Sequence, residues 1–510
     1  MRVVFLGIGA AQIGVELLSA LLRAEGHEVH LVFNPSLFDD RFQLKIPRLA
    51  RMFDREAQLI AKAIALRPDV VAMSVLTSTY TSGLVMAGAI RAATGARVIF
   101  GGVHPSAVPD VVIAEDAIDA VCVGEGDHAF PAYLAALARG DDTTPIANLW
   151  FKRPDGAVIR GEQSGFLQDL DSLPFPDKDL YAREVDVGDP YMTITGRGCP
   201  YRCSFCFNNF WAKLPARSGA KAGRYVRQRS VEHVIGELRA AKQRWRVRCV
   251  DFEDDVFSVD KAWTQRFLEA YKQEIKLPWM CLTHPKYVDA DIVRWMKEAG
   301  CTWVQIGIQS LDEQYKHAAM RRYETVGDVA WALDAFAKAG IGVRGDHIFG
   351  GPGEPAGAQE VARKFYVDHP PRRISTYWMT YLPGVEMTDK AVASGALSAD
   401  DLARLERGLS PTFHDSAGAV TDPEELRRFA NYEALFRLLP GIPTALRGRA
   451  RAEWFEPVPL PALKALSMAG DIVLGFAQGH PNHRQYATHY VRQMVRHVFE
   501  ARGPDNGAAG

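Results

Sequence analysis

The sequence predicts an α/β protein in three parts. These are an N-terminal Rossmann-like (flavodoxin-like) parallel-sheet domain, a central partial (β/α)6 TIM-like barrel, and a mainly helical C-terminal region. Three observations lead there. Short apolar runs alternate with helical patterns through the first 145 residues. The alternation resumes near residue 190 and carries six further strands. Beyond residue 395 only helical periodicity is left. At 510 residues the chain exceeds one ordinary core, and its 47% hydrophobic and 24% charged residues are those of a globular protein.

The first strand spans 2–7 (RVVFLG), and a helical pattern over 15–25 ends at Gly26, a natural C′ position. Strands follow at 27–33, 68–74, 97–100 and 120–123, with helices at 58–67 and 82–94. Short apolar strands separated by helices make a parallel sheet covered on both faces. The opening glycines of GIGAAQIG are spaced G-x-G-x4-G, too long for a dinucleotide fingerprint. The informative segments lie at later strand ends: Ser74-Val75-Leu76-Thr77-Ser78, Gly101-Gly102-Val103-His104-Pro105 and Gly124-Glu125-Gly126. In an open parallel sheet these ends form the ligand crevice, and glycines there let a large planar ligand or its tail approach the backbone.

Residues 151–185 read as a connector around the stiff Leu173-Pro174-Phe175-Pro176-Asp177. Barrel strands follow at 192–195, 249–252, 279–282, 303–307, 343–349 and 374–381, with helices at 231–244, 263–274, 290–299 and 326–339. Chemistry is expected at the carboxyl ends of such strands. Those ends carry Asp254-Asp255, Gln309, Gly350-Gly351-Pro352 and, beyond Gln309, Arg321-Arg322. On the last strand Tyr377, Met379 and Tyr381 share a face, suited to a substrate pocket or to core packing. The C-terminal helices are expected at 399–407, 423–438, 460–476 and 485–499, with a tail at 503–510 expected to be disordered. His480, His483 and His489 read as a surface cluster.

The sharpest chemical signal is Gly196-Arg197-Gly198-Cys199-Pro200-Tyr201-Arg202-Cys203-Ser204-Phe205-Cys206, a C-x3-C-x2-C run. Three thiolates on one short loop can converge on an inorganic centre but cannot complete a four-coordinate protein site. An iron–sulfur cluster held this way keeps one iron open. A structural zinc site would want a fourth Cys or His at similar spacing, and the next cysteine is Cys249. Seven cysteines in all, an odd number, and a first apolar stretch too short for a secretory core point to a reducing, cytoplasmic setting. Cys122, Cys249, Cys281 and Cys301 read as buried hydrophobes. The formal charge of −1 gives no bulk basic signal for nucleic acid. The longest late apolar stretch, 463–476, is interrupted by Lys464 and Asp471, so membrane insertion is not expected.

The cysteine run resembles the signature of the radical S-adenosylmethionine superfamily. The strand-end segments of residues 1–145 resemble the cobalamin-binding domain that precedes the radical module in many of its enzymes. The resemblance implies a cobalamin-binding domain at 1–150, a linker at 151–185, a radical barrel at 186–395 and a C-terminal helical domain at 396–502. It implies three cofactors: a [4Fe-4S] cluster on Cys199, Cys203 and Cys206, S-adenosylmethionine and cobalamin. Asp254, Asp255, Gln309, Arg322, Gly350, Gly351 and Pro352 then face S-adenosylmethionine, with Arg321 a rival to Arg322. Ser74, Leu76, Thr77, Ser78, Gly101, Gly102, His104, Gly124, Glu125 and Gly126 face cobalamin. Two departures are visible: no Asp-x-His-x-x-Gly motif supplies a cobalt ligand, and Gln309 replaces the glutamate common in relatives. His104 reads as a hydrogen-bonding residue rather than a ligand. The implied activity is methyl transfer to an unactivated carbon of a small-molecule or natural-product substrate, through a 5′-deoxyadenosyl radical and methylcobalamin. A flavodoxin or ferredoxin is the implied electron donor. The alternatives are a non-methylating radical enzyme (cyclisation, ring contraction or oxidation) and, in another class, a non-catalytic cobalamin- or cluster-binding sensor.

Overall fold

A computed structural model describes residues 1–39, 46–219, 221–409 and 422–501. The tail expected at 503–510 lies outside the described residues. Five parallel strands form the N-terminal sheet: β1 (Arg2–Ile8), β2 (Glu28–Asn34), β3 (Val70–Ser74), β4 (Arg97–Gly101) and β5 (Ala120–Cys122). Their order is β2-β1-β3-β4-β5, the doubly wound flavodoxin-like arrangement, with its switch point between β1 and β3. Side-chain alternation splits β1 between two cores. Val3 and Phe5 pack on one face with Val15 and Leu22, and Val4 and Leu6 pack on the other with Met86 and Ile90.

The sheet does not stop where the sequence pattern suggested. β6 (Leu149–Lys152) and β7 (Val158–Arg160) add an antiparallel hairpin beyond β5, inside the segment read as connector. Its turn is Pro154-Asp155-Gly156, with Gly156 at φ +83° and Arg153 N donating to Ala157 O at 2.8 Å.

The barrel strands are β8 (Tyr191–Thr193), β11 (Val250–Phe252), β12 (Trp279–Thr283), β13 (Cys301–Gln309), β14 (Gly342–Phe349) and β15 (Arg373–Trp378). A small ribbon of β9 (Gly196–Arg197) and β10 (Arg227–Gln228) stands between β8 and β11 in sequence. The six barrel strands are parallel, in the order β8-β11-β12-β13-β14-β15. Four of the outer helices start on a side-chain cap. Ser230 accepts from His233 N, Asp260 from Trp263 N, Asp289 from Ile292 N, and Thr325 from Asp328 N. Each such cap contributes about 1 kcal/mol and fixes where the chain turns outward. Alternation then sends Val250 and Phe252 outward into a core with Phe267, Tyr271 and Trp279, and sends Asp251 into the lumen.

The C-terminal helices include Pro423–Leu438, Leu460–Ala477 and Pro481–Ala501. Phe429 and Phe436 of the first pack on Phe349 of β14. By length and composition Leu460–Ala477 is long and apolar enough to cross a membrane, which the count over 463–476 did not register. Its Asp471 pairs with Arg373 of the barrel at 2.5 Å, and its Leu463 packs on Ala430 and Ala434. The three histidines do not form the expected surface cluster. His480 is buried against Trp303 with ring centroids 4.5 Å apart, His483 is bonded to Arg373, and His489 meets Phe33. They line the seam between the last helix and the rest of the molecule because Gly479 and Pro481 turn the chain back under the barrel.

Candidate active site

The cysteine loop leaves β9 through Gly198, at φ +91°. A Cβ there would stand 2.3 Å from Tyr225 O, so only glycine lets the chain turn into Cys199. The far side is pinned by Ser204. Its N–H donates to Met320 O (3.1 Å), its hydroxyl to Ala319 O (2.5 Å), and its carbonyl accepts from Met387 N (2.9 Å). None of the three cysteines is in a disulfide. Burial pushes the Cys199 thiol up to about 12 and Cys206 up to about 11, and raises Cys203. The negative charges of their thiolates oppose one another as well. Thiolates gathered in such a place call for a cationic centre. Among the described residues no group of three His, Cys, Asp or Glu side chains converges on a single-ion position. A four-iron cluster spreads its thiolates over the corners of a cube, wider than the ligands of one ion, so this donor set fits a cluster with an open iron.

The segment that leads into the loop, Gly196, Arg197 and Gly198, lines one wall of a cleft of about 410 Å³, and Cys199, Cys203 and Cys206 are not among its lining residues. Arg197, Gly198, Asn208 and Tyr225 line it from the cluster side. Ser74, Gly101, Gly102, Gly124, Glu125 and Gly126 line it from the carboxyl ends of β3, β4 and β5. The glycine-floored crevice of the first sheet and the residues that flank the three-thiol loop therefore open onto the same space. A planar group seated on those glycines would face the cysteine loop, so the residues present fit cobalamin. The B12 binding domain family matches residues 9–134, and the Radical SAM superfamily matches residues 193–365.

The chain belongs to the cobalamin-dependent radical S-adenosylmethionine superfamily.

Relatives agree with that placement. An uncharacterised methyltransferase of Pyrococcus horikoshii is 27% identical over 77% of this chain and 80% of its own length. The cytidylyl-2-hydroxyethylphosphonate methyltransferase of Streptomyces wedmorensis is 23% identical over 56% of this chain, which spans 58% of that relative. In fold the chain resembles the radical S-adenosylmethionine methyltransferase TsrM of Kitasatospora setae, solved with tryptophan and a cofactor analogue. The TM-score is 0.61 at 19% identity, over 78% of this chain and 77% of that one. The cofactors of this radical S-adenosylmethionine enzyme are a [4Fe-4S] cluster, S-adenosylmethionine and cobalamin.

Within it, the residues singled out for cofactor contact fall into two groups. Leu76, Thr77, Ser78 and His104 lie outside the cleft lining. His104 is fully buried, with Nδ1 3.1 Å from Thr77 Oγ1 and its ring 4.6 Å from that of Tyr80. Burial pushes it down to about 4, so it is a neutral brace under the loop. Asp254 has both oxygens engaged by Thr195, through N–H at 2.9 and 3.0 Å and the hydroxyl at 2.8 Å, and braces the end of β8. Asp255 lines the cleft and accepts from Asn208 Nδ2 at 2.8 Å. Gln309, at φ +65°, ends β13 with its Oε1 buried and unpartnered. Gly350 N donates to Glu354 Oε2 (2.8 Å), and a Cβ on Gly351 would stand 1.7 Å from Tyr315 Oη. Pro352 follows them in the same turn after β14. Arg322 is buried beside Cys203, donating to Glu324 Oε1 (2.8 Å) and Gly307 O (2.6 Å). Its rival Arg321 points away, to Glu386 at 2.7 Å.

Sequence reasoning missed a charge network on the rim of the cleft. Arg227, buried, donates to both oxygens of Glu125 (2.8 and 3.0 Å) and to Leu167 O (2.8 Å). Arg197 forks onto Asp127 (2.7 and 2.9 Å) and reaches Glu125 at 3.3 Å. Burial alone would raise the Asp127 carboxyl, and the Arg197 guanidinium overrides it and holds that carboxyl below the usual range. Glu125 thus joins the first domain to the ribbon that carries the cluster loop. The position of Arg197, two residues before Cys199, was the only hint in the sequence.

Proposed function

We propose that this protein transfers a methyl group to a carbon of a small molecule. The observation that carries the reading is the shared cleft, lined on one side by the cobalamin-type crevice and on the other by Arg197, Gly198, Asn208 and Tyr225, which flank the three-cysteine loop. When bound, the cluster with S-adenosylmethionine supplies a 5′-deoxyadenosyl radical, and cobalamin supplies the methyl group. The protein's own residues hold these groups. Cys199, Cys203 and Cys206 would carry the cluster. Asp255, Gln309, Arg322 and the turn Gly350-Gly351-Pro352 would hold S-adenosylmethionine, with Asp254 keeping the strand end rigid. Ser74, Gly101, Gly102, Gly124 and Gly126 would seat cobalamin, and Leu76, Thr77 and Ser78, braced by His104, would meet its lower face. Glu125 would fix the spacing of the two walls. The domain limits 1–150, 151–185, 186–395 and 396–502 go with this reading, with the hairpin of β6 and β7 moved to the first domain. A flavodoxin or ferredoxin would deliver the electron, in the cytoplasm.

The test is anaerobic incubation of reconstituted holoenzyme with reductant, methyl-labelled S-adenosylmethionine and an extract of a strain lacking the enzyme. Labelled product together with 5′-deoxyadenosine, both absent with Cys203→Ala, is the expected result. An unlabelled new product with 5′-deoxyadenosine would replace methyl transfer by cyclisation or rearrangement. No 5′-deoxyadenosine above the Cys203→Ala control would refute radical chemistry.

A further inference from the structure

The barrel lumen holds buried acceptors that no donor reaches. By alternation and register, β11 turns Asp251 and Glu253 inward, β13 turns Gln305 and Gln309, β14 turns Arg344 and Asp346, and β15 turns Ser375 and Tyr377. Arg344 gives Nε to Ser375 Oγ at 2.7 Å and Nη2 to Tyr377 Oη, and Gln305 gives Nε2 to Asp346 Oδ2 at 2.6 Å. Three acceptors are left with no hydrogen-bond partner: Asp251 Oδ1, Asp346 Oδ1 and Gln309 Oε1. Asp346 Oδ1 is 3.5 Å from Arg344 Nε, but that N–H is directed at Ser375. A buried acceptor left without a donor is costly, so Asp251 and Asp346, which the cofactor reading does not use, mark a place for a donor-bearing ligand.

Charge narrows the ligand. Asp251 is 1% exposed and lies against Glu253 and Asn482. Two adjacent carboxylates in a low-dielectric lumen cannot both ionise without a proton or a cation between them. Burial, then Glu253, pushes the Asp251 carboxyl well up, against the opposing pull of Arg344 and Asn482. At the two ends of the lumen, Arg322 is matched by Glu324, and Arg373 by Asp471. Within it, Arg344 holds Ser375 and Tyr377 and lies 3.5 Å from Asp346, so an anionic ligand would find no cation without an acceptor beside it among these residues. Asp255, more exposed than Glu253, would take the amino group of S-adenosylmethionine. Glu253 also lines the cleft, so the pair is reachable from it.

We propose that the substrate is a small molecule bearing a protonated amine, which it presents to Glu253 and Asp251, with Asp346 as the further acceptor. This deepens the methyl-transfer reading and rests on it for the identity of the product. In the labelled incubation, every new product is treated with an amine-selective acylating ester. The expected result is a labelled product that takes the acyl mass. A labelled product with no amine overturns the ammonium assignment and leaves methyl transfer standing. An unlabelled product that takes the acyl mass does the reverse. Glu253→Gln should cut product at least tenfold at the extract's substrate level and regain it as purified substrate is raised, a change in KM rather than in kcat. A second measurement needs no substrate: the thermal midpoint of holoenzyme with hexylammonium, hexanol or hexanoate. Hexylammonium alone should raise it, and Asp251→Asn or Glu253→Gln should remove the rise. An equal rise with hexanol would show apolar binding only and overturn the proposal.

Discussion

Replacing Arg227 by Met should loosen the joint between the two cofactor-bearing domains. The side chain is 3% exposed and makes four hydrogen bonds, two of them to the Glu125 carboxylate. Removing one partner of a buried ion pair costs about 3–5 kcal/mol when the other charge is left stranded. Glu125 would not be wholly stranded. It is 17% exposed, still accepts from Leu167 N at 2.9 Å, and keeps Arg197 at 3.3 Å. The expected loss is therefore about 2–3 kcal/mol, or a fall of roughly 4–12 °C in the midpoint for a unit of this size. Calorimetry measures it, with a cobalamin titration beside it, because the loop that moves also carries Gly124 and Gly126. The companion variants are Glu125→Gln and the Glu125→Gln/Arg227→Met double mutant. If the pair acts as a unit, the double mutant should cost about 1 kcal/mol less than the sum of the single changes. A midpoint that moves by less than about 1 °C in Arg227→Met, or strict additivity in the cycle, would refute the reasoning.

Two further outcomes follow from the same geometry. Gly198→Ala should cost about 1–3 kcal/mol through its left-handed backbone and the 2.3 Å approach to Tyr225 O, and should lower iron bound per chain after reconstitution. His104, held neutral at about 4 against 6.5 when unfolded, should add acid sensitivity. Its folded value lies below its unfolded value, so its contribution is complete above pH 6.5 and is lost as the pH falls toward 4, at most about 3 kcal/mol. Calorimetric midpoints of wild type and His104→Gln from pH 7 to 4.5 should converge toward acid; parallel curves would remove His104 from the account.

The parallel strands of both sheets were legible because each is a short apolar run with a helix behind it. The barrel helices also announced their starts, through Ser230, Asp260, Asp289 and Thr325. The hairpin of β6 and β7 carried a readable signal, Pro154-Asp155-Gly156, which the search for a connector passed over. The burial of His480 was not legible, because polar residues at helical spacing read as solvent-facing unless the element packed on them is known. The rim network was hidden for a related reason: Arg227 and Glu125 are 102 residues apart, and no local pattern marks an ion pair that spans two domains. The unpartnered lumen acceptors were invisible for the opposite reason. Asp251 lies between Val250 and Phe252, and Asp346 lies between Arg344 and His347, so neither stands out by itself, and only the folded sheet turns both into the lumen.

The joint between the domains is fastened at both ends, and this bears on why the C-terminal helix exists. On the cleft side Glu125, Arg197 and Arg227 tie the first sheet to the cluster ribbon. On the opposite side Pro481–Ala501 runs beneath both domains. Its Gln493 donates to Glu184 O (2.7 Å), its Arg484 reaches Asp189 (3.3 Å), and its Tyr490 hydroxyl accepts from Phe38 N (3.2 Å). A single fastening would leave a hinge, and a hinge at the rim would let the walls of the cleft part. Two fastenings on opposite sides of the linker remove that freedom, so the distance between the glycine crevice and the cysteine loop is set by the fold rather than by whatever is bound. That is what chemistry with a reactive radical demands, since the reacting groups must already be in place and water kept out when the radical forms. The same helix turns Asn482 toward Asp251, so the element that locks the domains also closes the floor of the lumen where the substrate amine is proposed to sit.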